Sequence, residues 1–161
     1  MAATTLCLIN QKGGCGKSST CYHLAGALFD ESCFFLDQQR LIRPTGFERI
    51  SIVPANQHLA HHNVPRPEAA GMAQFILRDF LEVRDQFDVV LIDCPPNLYQ
   101  CSWNAMIAAD FVLIPVPPED FGTQGLRAVH QAIDNARRLN PSLRRLGHLV
   151  TRYDKRLLVH R

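Results

Sequence analysis

The stretch Leu6-Cys7-Leu8-Ile9-Asn10-Gln11-Lys12-Gly13-Gly14-Cys15-Gly16-Lys17-Ser18-Ser19 decides the fold. Residues 6–10 read as a short apolar strand, and the glycines that follow read as a turn. Residues 18–29 then read as a helix, with Cys21, Leu24, Ala25 and Leu28 recurring on one face. A strand that runs into a Gly-rich turn and opens a helix is the setting that makes Gly16-Lys17-Ser18 a phosphate cradle, or P-loop. Glycines let the backbone curl until successive N–H groups face inward as an anion nest. The helix N-terminus adds the positive end of its dipole. Lys17 can then reach the β- and γ-phosphates of a nucleotide, and the Ser18 hydroxyl is placed to ligate magnesium. The candidate nucleotide-binding residues are therefore Gln11, Lys12, Gly13, Gly14, Cys15, Gly16, Lys17, Ser18 and Ser19.

One departure from the usual pattern is informative. The first position of a P-loop, separated from Gly16-Lys17 by four residues, is normally Gly; here it is Gln11, and Lys12 follows. Two lysines at the mouth of one cradle repel each other unless a phosphate or a partner carboxylate neutralises them.

Outward from this stretch, strands and helices alternate. Residues 33–36, 50–53, 89–92, 111–115 and 146–151 read as further buried strands. Residues 69–84 read as a helix with Met72, Phe75, Ile76 and Phe80 at helical spacing, and residues 123–139 as another with Ala128, Ala132 and Ala136 at four-residue steps. Residues 38–49 and 57–67 are polar and irregular and read as loops. Continuous apolar strands between helices imply a sheet buried on both faces. The fold class is α/β, with a doubly wound, mostly parallel sheet in a single domain over residues 1–161.

Composition agrees with a globular enzyme or switch and excludes little else. Of 161 residues, 47% are hydrophobic and 20% charged, close to the globular average. The net charge of +2 is too small to mark a nucleic-acid binder by itself. The cysteines at 7, 15, 21, 33, 94 and 101 form no CxxC pair and read as reduced, buried thiols of a cytosolic protein. Metal-ligand spacing of Cys and His is absent, and His61 and His62 read as loop residues. The N-terminus lacks a charged region, and the apolar run 6–9 is too short for a signal peptide or a membrane span. The expectation is a soluble, cytoplasmic protein without a membrane partner.

The string Lys12-Gly13-Gly14-Cys15-Gly16-Lys17-Ser18 resembles the deviant Walker A motif of the ParA/MinD class of ATPases, and Asn10-Gln11 before it resembles the ParA partition branch. Ile52-Val53-Pro54-Ala55-Asn56 resembles the "IPAN" strand of that family, and Phe87-Asp88-Val89-Val90-Leu91-Ile92-Asp93-Cys94-Pro95-Pro96 its Walker B segment. Leu113-Ile114-Pro115-Val116 with Gln124-Gly125-Leu126 resembles the next strand and helix start, and Leu149-Val150-Thr151-Arg152-Tyr153-Asp154-Lys155-Arg156 the "lTxyDxR" segment.

The resemblance implies ATP and Mg2+ as ligands and a chain that forms a homodimer when ATP binds. Lys12 would reach across the dimer interface to the phosphates held by the partner subunit. Asp93 would hold magnesium together with Ser18, and Asp37, at the end of the second strand, would position the attacking water. Lys12, Lys17 and Asp37 are thus the expected catalytic residues, and the loop 94–100 the expected γ-phosphate sensor. The implied function is a slow, partner-stimulated ATPase switch acting in plasmid or chromosome partitioning or cargo positioning. Its partners would be a ParB-like adaptor and non-specific DNA on the nucleoid. Arg137, Arg138, Arg144, Arg145, Arg152, Lys155, Arg156 and Arg161 offer a basic region for phosphate contacts. The alternative is a module that binds nucleotide without hydrolysing it. Iron–sulfur relatives of the same cradle need cysteines in a context that Cys94 and Cys101 lack.

Departures from the family pattern set further expectations. Phe35 stands where the family's "DxDPQ" motif has its first Asp, and Gln38 where it has Pro. Residues 39–50 are fewer than the family usually carries there, and the chain stops at Arg161, soon after the "lTxyDxR" segment. The fold is therefore expected to be incomplete on its C-terminal side, with its last strand near a sheet edge that exposes apolar surface.

Overall fold

The apolar runs at the start of the chain, before Asp93 and after Asp110 become strands with helices packed on both faces, whereas the run at 50–53, expected as a buried strand, lies outside that sheet with Ile52 41% exposed. A computed structural model of the chain describes residues 3–27, 33–34, 42–55, 59–81, 87–120, 123–154 and 156. Its strands are β1 (Thr4–Leu8), β2 (Cys33–Phe34), β3 (Arg43–Pro44), β4 (Ser51–Ile52), β5 (Val89–Asp93), β6 (Phe111–Val116) and β7 (Arg144–Val150). Its α-helices are α1 (Lys17–Ala27), α2 (Leu59–His62), α3 (Ile76–Phe80), α4 (Gln100–Ala108) and α5 (Gln124–Ala136). The main sheet has the order β2-β5-β1-β6-β7 with every neighbouring pair parallel, and β3 and β4 form a small antiparallel pair apart from it.

Alternation along the strands builds apolar packing on both faces of the sheet. Cys7, Ile9, Val112, Ile114 and Val116 pack with Trp103, Met106 and Ile107 of α4 and with Val129 and Ile133 of α5. Leu8 and Leu91, one residue out of step, pack with Cys21 and Leu24 of α1. Helices on both faces make the sheet doubly wound, as the continuous apolar strands predict. Each fully buried aliphatic here contributes about 1.5–3 kcal/mol relative to exposure.

The structure corrects the sequence reading in several places. Residues 69–84 do not form one helix. Pro67–Ala69 and Gly71–Gln74 are 3-10 turns, α3 begins at Ile76, and residues 82–86 lie outside the described residues. Gly71 takes a positive φ of 56°, which interrupts the helical run. The expected apolar face splits as a result: Phe75 packs against the core, while Met72 and Ile76 are 75% and 64% exposed. His61 and His62 sit in the short exposed helix α2 rather than in a loop. Helix α5 is anchored by Leu126, Val129, Ile133 and Ala136, with Ala128 and Ala132 at the flanks, and Thr123 caps it by accepting the Leu126 N–H at 3.3 Å. Helix α4 has no counterpart in the sequence reading.

Strand β7 is the outer strand of the sheet beside β6, and a bulge at Leu146 shifts its register between Val112 and Leu113. Leu146 and Val150 are 57% and 50% exposed among the described residues, so this outer strand carries apolar surface.

Candidate functional site

In an open parallel sheet, ligands bind at the carboxyl ends of the strands where the strand order reverses. Strand β1 is that point: it lies between β5 and β6, and the chain leaves it for α1. Leu8 pairs with Asp93 in register, so the loop after β1 and the end of β5 emerge side by side.

The loop from Asn10 to Lys17 is held from three directions. The Asn10 side chain is buried; its Nδ2 donates to the Pro115 carbonyl at 2.8 Å, and its Oδ1 accepts the Lys12 N–H at 3.0 Å. Gly14 and Gly16 have φ of 70° and 92°, the left-handed region that glycine enters without a Cβ penalty. The Thr151 hydroxyl donates to the Cys15 carbonyl at 2.8 Å from beyond β7. The first helical hydrogen bond, Thr20 N–H to the Gly16 carbonyl at 2.8 Å, then starts α1 directly from the curl.

The charged groups converge on this curl. Lys17 is buried, and its Nζ donates to the Lys12 carbonyl at 2.9 Å, inside the loop. Ser18 Oγ donates to Asp93 Oδ2 at 2.6 Å, so the structure brings together the two residues assigned to magnesium. A hydroxyl and a carboxylate at the mouth of an anion nest are hard oxygen donors, which suit Mg2+ rather than a soft metal. The donor set therefore fits the ion.

Lys12 does not point free into solvent. Its Nζ lies 2.8 Å from Asp120 Oδ1 of the same chain, and that hydrogen bond, with the nearby Asp120 and Glu119 charges, raises its pKa. Asp120 is the carboxylate that the second lysine of the motif demands. Its other oxygen, Oδ2, is buried without a hydrogen-bond partner among the described residues. Asn10, Gln11, Lys12, Asp120, Thr123 and Gly125 line a cleft of about 260 Å3 beside the cradle.

Asp37, with Phe35 and Gln38, lies outside the described residues. The loop after Asp93 is described. The Cys94 N–H donates to the Leu8 carbonyl at 3.3 Å, and Ser102 of α4 donates to the Asn97 carbonyl at 2.6 Å. Gln100 and Cys101 donate from their backbone to the Val64 carbonyl and to Asn63 Oδ1. The strand end that carries Asp93 is thus tied to α4 and to residues 63–64.

Among the described residues the basic side chains do not all gather into one patch. Arg144 and Arg152 flank opposite ends of β7, roughly 25 Å apart at the rise of a strand, well beyond a Debye length of about 8 Å. Arg137 donates to the Leu143 carbonyl and pairs with Asp134, and Arg156 pairs with Asp154. Lys155 and Arg161 lie outside the described residues.

Cys7, Cys15, Cys21, Cys94 and Cys101 are free thiols, as the sequence implies. A hydrogen bond with Cys7 and burial push the Cys94 thiol up, and burial does the same to Cys21 and Cys101. Among the described residues no helix is long and apolar enough to cross a membrane.

Sequence reasoning missed Asp120, Thr151 and the clamping role of Asn10. Asp120 had a signal in the uncompensated charge of Lys12, whereas Asn10 and Thr151 stood in family motifs without an assigned role.

Comparisons with known proteins agree on the family and the fold. A family profile described as an AAA domain matches residues 34–145. The chromosome partitioning protein ParA of Myxococcus xanthus is 31% identical over 94% of this chain and 65% of its own length. The chromosome-partitioning ATPase Soj of Thermus thermophilus is 33% identical over 96% of this chain and 71% of its own. The chain thus spans about two thirds of the length of these relatives. Cobyrinic acid a,c-diamide synthase from Mycobacterium smegmatis, solved with a bound ATP analog and magnesium, superposes with a TM-score of 0.87 at 25% identity, covering 98% of this chain and 78% of that one.

Proposed function

The chain belongs to the ParA/MinD family of P-loop ATPases, and from that premise we propose that it is an ATP- and magnesium-binding switch that pairs with a second copy when ATP is bound. The observation that carries this reading is the meeting of Lys17, Ser18 and Asp93 around a glycine curl at the head of α1.

Phosphoryl transfer needs positioning and charge neutralisation more than covalent help. The backbone amides of residues 13–18 cradle the phosphates, and the α1 N-terminus faces them with its positive end. Lys17 swings from the Lys12 carbonyl to the β- and γ-oxygens. Ser18 and Asp93 would hold the magnesium ion, which spreads the negative charge of the phosphates. Asp37 orients the attacking water, and Lys12 leaves Asp120 to reach the phosphates held by the partner subunit. The loop 94–100 reports the γ-phosphate to α4 through the Asn97–Ser102 hydrogen bond. The cellular role is movement or partitioning of a chromosome, plasmid or other cargo, with an adaptor of the ParB kind stimulating turnover, a DNA surface as the track, and the cytoplasm as the setting.

Light scattering tests dimerisation. The protein alone and with ADP should be monomeric, and a non-hydrolysable ATP analogue should double its mass. A mass that never changes with nucleotide contradicts the switch. The Lys12–Asp120 pair sets a second expectation. Asp120→Asn frees Lys12 without removing it, so half-maximal dimerisation should move to lower analogue concentration, about two- to fivefold.

Phe35 and Gln38 favour a second reading, a nucleotide-binding module without turnover that acts by pairing with an intact relative. Steady-state hydrolysis separates the two. Turnover abolished by Asp37→Ala supports the switch, and binding without turnover in the presence of DNA and adaptor supports the module.

A further inference from the structure

We propose that Arg152 is a third cation of the phosphate site, held over the cradle from the end of β7 to bind the polyphosphate of the nucleotide in its own subunit. The proposal rests on the reading of the cradle as a nucleotide site.

Three independent features converge on this residue. Arg152 is the one non-glycine residue with positive φ among the described residues, at 57°. Left-handed backbone costs a residue with a Cβ about 1 kcal/mol or more and persists where surrounding structure over-determines it. That structure is Thr151, whose N–H donates to the Val116 carbonyl at 3.0 Å while its hydroxyl donates to the Cys15 carbonyl at 2.8 Å. The residue just before the strained one is therefore fixed both to the sheet and to the loop.

The turn has a clear consequence. It carries the guanidinium back onto the glycine curl, with Nη1 3.8 Å from the point where a Cβ on Gly14 would sit. Its charge is near enough to Lys12 to oppose the rise that Asp120 gives the lysine pKa. Lys12 has Asp120, Arg137 has Asp134 and Arg156 has Asp154; Arg152 has no ion pair among the described residues.

Lys12, Lys17 and Arg152 thus surround a loop whose amides are themselves positive; Asp120 pairs with Lys12, Glu119 lies near it, and Asp93 is hydrogen-bonded to Ser18. Arg152 and Lys12 repel each other in the empty protein, and a polyanion lodged between them and the amides relieves that repulsion. The planar fork of a guanidinium matches phosphate oxygens, which a lysine at the same place would meet only as a point charge.

The test is titration calorimetry of the full chain with Mg–ATP and with tripolyphosphate, on the wild type, Arg152→Asn and Arg152→Lys, with thermal midpoints measured alongside. Asn tolerates left-handed backbone, so Arg152→Asn removes the cation without forcing the turn to change. The expected result is an affinity about tenfold lower for both ligands, partial recovery in Arg152→Lys, and an unchanged or higher thermal midpoint. Unaltered tripolyphosphate affinity in Arg152→Asn overturns the proposal, whether or not ATP binding falls, because the side chain would then serve the base or ribose or nothing. A fall in affinity that accompanies a fall in thermal midpoint overturns it too, as the mark of a structural brace. Wild-type protein that binds neither ligand is a different failure, that of the nucleotide site itself.

Discussion

Lys17→Ala lowers Mg–ATP affinity by about a hundredfold or more while the protein keeps its fold. The side chain is buried in the curl, and its Nζ donates to the Lys12 carbonyl at 2.9 Å, so the ammonium is already within the loop that the phosphates enter. Two charge-assisted hydrogen bonds to phosphate oxygens contribute about 1.5–3 kcal/mol each, which sets the size of the loss. The fold survives because no carboxylate among the described residues pairs with Lys17 and the carbonyl it serves lies in an otherwise exposed stretch of loop, residues 11–14. Calorimetry of the variant beside its far-UV spectrum checks both halves. Wild-type affinity in Lys17→Ala would mean that phosphates do not enter the curl.

Gly16→Ala damages fold and binding together. A Cβ at φ of 92° is strained by about 1–2 kcal/mol in any surroundings. The added methyl would also lie 3.3 Å from Thr151 Cγ2 and 3.5 Å from its Cβ. Thr151 cannot retreat without weakening its bonds to Cys15 and Val116, at about 1 kcal/mol each. The expected loss is about 2–4 kcal/mol of unfolding free energy in urea, a large share of a typical domain's 5–15 kcal/mol. Reshaping the nest should also weaken Mg–ATP binding at least tenfold. The double variant Gly16→Ala/Thr151→Ser removes the crowding methyl and should recover part of the stability but not the backbone strain. A recovery of zero would show that the contact with Thr151 is not the cause.

These expectations show where the sequence was legible. The cradle was readable because strand, glycine turn, lysine, hydroxyl and helix are contiguous, and each leaves a local mark. Asp93 was readable at the end of a continuous apolar run, and its meeting with Ser18 follows from the register of β1 and β5. Asp120 was not, because 108 residues separate it from Lys12 and only the folded sheet brings the loop after β6 alongside the cradle. Thr151 is more distant still, 136 residues from Cys15.

Helix α4 failed for another reason. Gln100, Ser102, Trp103 and all four residues from Ala105 to Ala108 are buried, so there is no polar face and hence no helical period to detect. Its polar members are absorbed locally. Ser102 reaches the Asn97 carbonyl, Asn104 the Gln100 carbonyl and Trp103 the Gln74 side chain. In residues 69–84 the opposite happened: a convincing period was present, and one glycine with positive φ overrode it.

Everything proposed for the switch requires a triphosphate tail to lodge in the glycine curl between Lys17 and the Ser18–Asp93 pair. Titration of Mg–ATP into the purified, folded chain by calorimetry measures this directly. The expected result is saturable binding at one site per chain, weakened sharply when magnesium is withheld. Absence of any binding heat over a range of temperatures, with the thermal unfolding midpoint unmoved by Mg–ATP, would contradict it.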